Sequence, residues 1–176
     1  MHKIILNMAI SQDGFIADEK GGVDWLAPTH TSGEDYGMPE FLDSIDTIVM
    51  GWNSYNQQFE FGPWAWSHKI TYVFTDHPEQ NPPANVHFFS GSIEQFIQYI
   101  EKNSSQTSIW LFGGAQLTQS FHDADVIDEY IVTVVPVALK SGIAFPDSLL
   151  QDKKFILKNT TTYKDGCVQK HFVRRA

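Results

Sequence analysis

The chain has 176 residues, 42% of them hydrophobic and 14% aromatic, and a formal net charge of −9 at pH 7. That composition suits one globular domain with a sizeable core, and the negative balance argues against nucleic acid, whose phosphates need a basic surface. No apolar run approaches the roughly 18 residues of a membrane span, and a single cysteine, Cys167, excludes a disulfide framework or a cysteine zinc site.

The N-terminal "MHKIILNMAISQDG" reads as a strand at once, without a leader and cleavage site. A reducing cytoplasm is the expected compartment. Residues 3–10 are dense in apolar side chains, as in a strand buried on both faces, and "SQDGF" signals a turn. Residues 18–39, rich in Gly, Asp, Thr and Pro, predict a long loop with Trp25 and Tyr36 in it; a loop of that length in a compact domain is usually a lid. Pro39 starts a short helix over 39–45, with Phe41, Leu42 and Ile45 on one face. Strands follow at 47–50, 70–74 and 86–89. The spacing of Ile93, Phe96, Ile97 and Ile100 predicts a helix over 92–102, with Ser92 and Gln95 forming a capping box. A strand at 108–112 precedes two glycines and a helix carrying Leu117 and Phe121. A long strand spans 128–139, and runs 155–163 and 167–174 flank the hairpin signal "KDG". Alternating strands and helices closed by a hairpin predict an α/β domain over residues 1–176. It has three layers: a mainly parallel central sheet, helices on both faces, and an antiparallel C-terminal edge.

The stretch "IWLFGGAQLTQSF" (109–121) carries the strongest chemical signal. Ligands of open α/β sheets bind outside the carboxyl ends of the strands. Glycine lets backbone approach a ligand closely, and the first amides of the next helix favour phosphate. The turn therefore reads either as a pyrophosphate cradle or as a tight strand-to-helix connection with no ligand. Neither the G-x-G-x-x-G fingerprint nor the Walker loop is present.

Five segments in order decide between these readings: "MAISQDGFIA", "TIVMGWNSY", "YVFTD", "IWLFGGAQL" and "YIVTVVPVALKSGIAFP". Together they resemble the dihydrofolate reductase superfamily, and within it the small bacterial proteins related to the reductase domain of riboflavin biosynthesis. The resemblance covers nearly the whole chain. It implies a dihydrofolate reductase-type fold, a nicotinamide cofactor and a homodimer. It implies that Ala9 and Ile16 line the nicotinamide, and that Gly51, Trp52, Asn53 and Ser54 begin a helix under the pyrophosphate. Phe74 and Thr75 would flank the adenosine. Gly113, Gly114, Ala115, Gln116 and Leu117 would wrap the other side of the pyrophosphate, with a cis peptide between the glycines. Trp25, Phe41 and Thr133 would meet the substrate.

In dihydrofolate reductases a carboxylate in an apolar pocket helps protonate the substrate, and burial raises its pKa to suit an acid near neutral pH. Ungapped counting from Gly51 puts Asp35 there, with Glu40 the second candidate; Asp43 and Asp46 read as solvent-facing. The implied cofactor is NADPH. However, Trp52 stands where the family places an arginine against the 2′-phosphate, and Asp76 follows Thr75 beside the expected ribose. Lys69 and His77 are near enough in sequence to supply charge instead. NADPH is therefore expected to bind with weak discrimination, leaving NADH possible. Trp64 and Trp66 read as packing residues. The seven histidines form no metal motif, "HDAD" at 122–125 reads as a solvated turn, and no metal is expected. The zinc deaminase signature and the nucleophile elbow are absent. The expected activity is hydride transfer from NAD(P)H to a small heterocyclic or carbonyl substrate, of pterin/folate or ribosylaminopyrimidine type. The alternative is a non-catalytic dinucleotide- or ligand-binding module on the same fold.

Overall fold

The computed structural model describes residues 2–103 and 108–175. Its elements in chain order are β1 (Lys3–Ser11), β2 (Phe15–Ala17), a 3-10 turn (Asp24–Leu26), α1 (Ala27–His30), α2 (Met38–Ser44), β3 (Thr47–Gly51), α3 (Trp52–Gln58), β4 (Ile70–Phe74) and β5 (Val86–Phe89). They continue with α4 (Ile93–Asn103), β6 (Ser108–Gly113), α5 (Ala115–Asp123), β7 (Glu129–Val135), β8 (Ile143–Ala144), α6 (Asp147–Gln151), β9 (Phe155–Thr162) and β10 (Val168–Arg174).

Eight strands form one sheet in the order β5-β4-β3-β6-β1-β7-β10-β9. The pairs from β5 to β7 are parallel, and β10 runs antiparallel to both β7 and β9. The parallel strands are apolar runs because both faces are covered. On one face α4, α5 and α6 bring Ile93, Phe96, Ile100, Phe121 and Leu149 onto Ile4, Leu6, Val49, Leu111 and Val132. On the other, α2 and α3 bring Phe41 and Tyr55 onto Ile5, Ile48, Met50, Val73 and Trp110. The expected three layers, parallel sheet and antiparallel C-terminal pair are all present.

Local chemistry explains the helix starts. Ser92 N donates to Gln95 Oε1 and Gln95 N to Ser92 Oγ, the reciprocal bonds of a capping box. Pro39 sits in the first turn of α2, where its missing N–H costs nothing. Lys69 Nζ donates to the carbonyls of Leu42 and Ile45 at 2.7 and 2.6 Å, satisfying the end of that helix. Three expectations needed correction. The strand predicted over 128–139 ends at Val135, because Pro136 has no N–H for the ladder. The 18–39 loop contains the 3-10 turn and α1, the latter with proline in its first turn. The short elements β2, β8 and α6 carry too few residues to show a period.

Asp13 ties two distant turns together. Its carboxylate accepts from Ser11 Oγ at 2.6 Å and from Leu139 N and Lys140 N at 3.1 and 2.7 Å. The Ser11 hydroxyl and these amides hold its pKa down at about 2. A depressed carboxylate stabilises the fold above its ordinary pKa and loses that contribution as pH falls through the folded value. Asp13→Asn is therefore expected to melt below wild type at pH 7. The gap should close as the pH falls from the ordinary value of 3.8 through about 2. Thermal melts of both proteins across that range check it, and a gap that persists at the acid end would show a different cause.

Candidate functional site

The site begins where β3 and β6, neighbours in the sheet, both end in glycine and turn into helices. Met50 pairs with Gly113 across the β3–β6 ladder, and a Cβ on Gly51 would lie 3.9 Å from Gly113 O. The Gly113–Gly114 peptide is cis, and Gly113 has φ +118, a backbone that side chains rarely adopt. A Cβ on Gly113 would also come within 2.4 Å of Met8 Cε. Gly114 differs: its φ is −58, and a Cβ there would meet only Ser54 Oγ, at 3.6 Å. Ser54 reaches across from α3 and accepts from Gly114 N at 3.0 Å.

Gly51, Ser54, Gly113 and Gly114 thus converge, with the amino ends of α3 and α5 beside them. The amides of Asn53, Ala115, Gln116 and Leu117 lie in the first turns of those helices, where N–H groups lack intrahelical acceptors. The Thr118 hydroxyl, fully buried, has no hydrogen-bond partner among the described residues, and its Oγ1 would lie 3.7 Å from a Cβ on Gly113. Bare backbone, two helix amino ends and an unpaired hydroxyl fit a pyrophosphate.

Next to this cradle lie two clefts at the carboxyl ends of β4 and β5. One of about 450 Å³ runs between Phe74, Gly91, Ser92, Leu117 and Asp123. The other, about 240 Å³, is lined by Phe74, Thr75, Asp76, Phe89, Ser90 and Gly91. Phe74 lines both clefts and Thr75 the smaller one. Trp52 packs against Tyr55 and Phe88, with ring centroids at 5.6 and 6.1 Å. Trp64 and Trp66 are packing residues, against Tyr55 at 5.4 Å and Trp110 at 5.5 Å.

On the other side of the cradle, Ala9 of β1 is in register with Thr133 of β7, which pairs with Gln169 of β10. These three residues form a row on one face of the sheet. Gln169 Nε2 donates to Thr133 Oγ1 and to Tyr36 O, both at 3.1 Å, and its Oε1 accepts from Tyr163 OH at 3.3 Å. Tyr36 OH donates to Asp165, and its ring meets Tyr163 edge-on at 4.8 Å. Burial and the Asp165 bond push the Tyr36 phenol up to about 12. This network pins the end of the 18–39 loop to the β9–β10 turn. The loop's other end is held by Gln57 Nε2, which donates to Gly21 O at 2.6 Å. Between them sits Trp25, half-buried on the 3-10 turn. Its indole N–H has no partner among the described residues, although the atom is buried. Ile16, on β2, packs against the larger core.

Three placements change the sequence reading. Asp35 and Glu40 are exposed, so neither sits in an apolar pocket. Asp35 Oδ1 accepts from Gly37 N at 2.9 Å, forming a turn before α2 rather than standing on it. Phe41 is core, buried edge-on against Trp110 at 5.3 Å, and is no substrate contact. Lys69 is committed to the end of α2. Tyr36, Tyr163, Asp165 and Gln169 carry no signal of a site in the sequence; Tyr36 and Gln169 bond across 129 and 133 positions, which no local pattern reveals. Cys167 is buried, its thiol pushed up to about 11 by burial, and its Sγ donates to Asp165 at 3.4 Å. A protonated, enclosed thiol is a poor nucleophile. Among the described residues no cluster of His, Cys, Asp and Glu could hold a metal ion, and no helix is long and apolar enough to cross a membrane.

Known proteins resemble this chain in sequence and fold. The family model of the RibD C-terminal domain matches residues 2–169. The uncharacterized protein YwjB of Bacillus subtilis (strain 168) is 36% identical over 173 residues, covering 98% of each chain. A crystal structure from Shewanella sp. PV-4, provisionally named a riboflavin biosynthesis protein, superposes with a TM-score of 0.86 at 25% identity over the whole of both chains. Dihydrofolate reductase from Enterococcus faecalis, solved with NADP(H), superposes with a TM-score of 0.68 at 17% identity, covering 99% of this chain and 97% of that one, a likeness of fold. With its sheet order, its glycine-lined cradle and a match over nearly its full length, the chain belongs to the RibD C-terminal domain family and has the dihydrofolate reductase-like fold.

Proposed function

We propose that the chain, working as one domain, is a nicotinamide-dependent reductase of a small heterocyclic or carbonyl substrate, of pterin/folate or ribosylaminopyrimidine type. The observation that carries the reading is the convergence of Gly51, Ser54, Gly113 and Gly114 beside the unpaired Thr118 hydroxyl. A reduced nicotinamide dinucleotide, when bound, supplies the hydride. Asn53, Ser54 and the residues Ala115 to Leu117 hold its pyrophosphate through amides and the Ser54 hydroxyl, while Gly114, whose own amide is spent on Ser54 Oγ, leaves the approach open. Ala9 and Ile16 border the nicotinamide ring.

The protein's own contribution at the substrate end is hydrogen bonding. Gln169 uses both amide protons, on Thr133 and Tyr36. Thr133 Oγ1 therefore acts as acceptor towards Gln169, and its own proton remains free to be donated to a substrate. The Trp25 indole N–H is a second unspent donor, and the 18–39 loop that carries it acts as the lid. The oligomer proposed is a homodimer, in a cytoplasmic setting.

A second reading, a binding module without turnover, draws support from the exposure of Asp35 and Glu40. Cofactor oxidation against pterin and aminopyrimidine panels separates the two. Turnover is expected, with Asp35→Asn and Glu40→Gln close to the wild-type rate and Thr133→Val well below it. Dinucleotide binding without oxidation of any panel member would favour the module. A large loss in Asp35→Asn would restore a carboxylate mechanism.

A further inference from the structure

Resting on the dinucleotide reading above, we infer that the site is built for a dinucleotide whose adenosine ribose carries a free 2′-hydroxyl, and that Asp76 is the residue that sets this preference. The inference starts from the ends of β4 and β5. Phe74 pairs with Phe89, and Thr75 N donates to Phe89 O at 3.0 Å, so Asp76 and Ser90 emerge side by side at the lip of the smaller cleft. Ser90 Oγ donates to Asp76 Oδ1, which holds the carboxylate at that lip. Asp76 lines the smaller cleft, and among the described residues its Oδ2 takes no hydrogen bond, so it keeps acceptor capacity there.

The surrounding charge has one sign. The two clefts are lined by three carboxylates, Asp76, Glu94 and Asp123, and by no lysine or arginine. Of the two cations that sequence proximity suggested, His77 is not among the residues lining either cleft, and Lys69 does not compensate. Lys69 is spent on the carbonyls of Leu42 and Ile45, and it lies at the opposite end of β4, about 13 Å of strand away. The Trp52 ring is packed against Tyr55 and Phe88, and Gln116, on the far side of the cradle, is exposed and uncharged. A 2′-phosphate carries nearly two negative charges at neutral pH and is normally met by the bidentate fork of an arginine. Here it would meet a fixed carboxylate instead. A 2′-hydroxyl would donate to that carboxylate, the arrangement by which NAD-binding sites recognise ribose.

Direct binding tests this without turnover. The full chain is titrated with NADH and NADPH by quenching of tryptophan emission at one fixed ionic strength. The titrations are repeated with AMP and adenosine 2′,5′-bisphosphate to isolate the adenosine half. NADH is expected to bind more tightly than NADPH, and AMP more tightly than the bisphosphate. Asp76→Asn and Asp76→Arg should each move the ratio towards NADPH by at least tenfold, about 1.4 kcal/mol, the arginine variant further. Both keep a polar side chain at an exposed loop position, so the fold survives. NADPH bound as tightly as NADH or more tightly in the wild type overturns the inference, as does a ratio that moves less than tenfold in either variant. Failure of every dinucleotide and fragment to bind would instead remove the dinucleotide reading, and this inference with it.

Discussion

Gly114→Val is expected to abolish dinucleotide binding in a protein that still folds. The φ of −58 at Gly114 lies outside the left-handed region that favours glycine, and beyond its chain neighbours a Cβ would meet nothing closer than Ser54 Oγ at 3.6 Å. The fold therefore has room for it, but the ligand does not. Phosphate oxygens reach backbone amides only at about 2.9 Å, and two branched methyls beside Gly114 would stand in that approach. They would also crowd Ser54, which accepts from the Gly114 amide at 3.0 Å. Gly114→Ala should give a smaller loss, because one methyl occupies less of the approach. Gly113 is the contrasting position. With φ +118 and Met8 Cε within 2.4 Å of a Cβ, Gly113→Val should lower stability itself. Dissociation constants from tryptophan quenching, paired with thermal melts, separate the two effects. Wild-type affinity in a folded Gly114→Val protein would remove the cradle from the mechanism.

A missing Cβ is visible residue by residue, so the glycine turn at 113–114 is legible in the order of amino acids alone. The same holds for strands buried on both faces, whose apolar runs at 47–50 and 108–112 need no partner to be recognised, and for the Ser92–Gln95 box, whose two bonds lie within one turn. The substrate side obeys a different logic. Thr133, Gln169, Tyr36 and Asp165 meet because β10 folds back beside β7 and the loop before α2 rests on the β9–β10 turn. Each is an unremarkable residue in its own segment, and only the register of the sheet joins them.

The misplacement of Asp35 has a related cause. Counting back from Gly51 assumes that the helix before β3 begins early enough to carry position 35. Here α2 starts at Met38, and Asp35 spends its carboxylate on the turn that precedes it, bonding Gly37 N. Phe41, which the resemblance puts at the substrate, falls by its helical spacing on the face shared with Leu42 and Ile45, and the structure buries it in the core. Charge is only partly legible. Asp76 beside the ribose can be read from the order of residues after β4, but the commitment of Lys69 to α2 cannot, because it depends on a contact across 24 to 27 positions.

Phe96→Ala is expected to cost about 3–5 kcal/mol of stability and to weaken dinucleotide binding through the floor of the cleft. Phe96 is fully buried on α4, and four rings surround it: Tyr72, Phe74, Phe89 and Phe121, at 5.3, 5.0, 5.1 and 6.1 Å. Those contacts are edge-on, the geometry in which aromatic pairs add to simple burial. Removing the ring leaves a cavity that neighbours on rigid strands can only partly fill. For a chain of this size the loss corresponds to a fall in melting temperature of roughly 6–20 °C. Two of the four rings, Phe74 and Phe89, also line the clefts where the adenosine would sit. Their relaxation towards the cavity should loosen the adenosine end while leaving the glycine cradle in place. Phe96→Leu, which keeps more of the volume, should lose less on both counts. The pair of measurements distinguishes the two halves of the site: Gly114→Val loses binding at an unchanged melting temperature, and Phe96→Ala loses both together. A Phe96→Ala protein as stable as wild type would mean that the core relaxes around the missing ring. The adenosine floor would then rest on the β4 and β5 backbones alone.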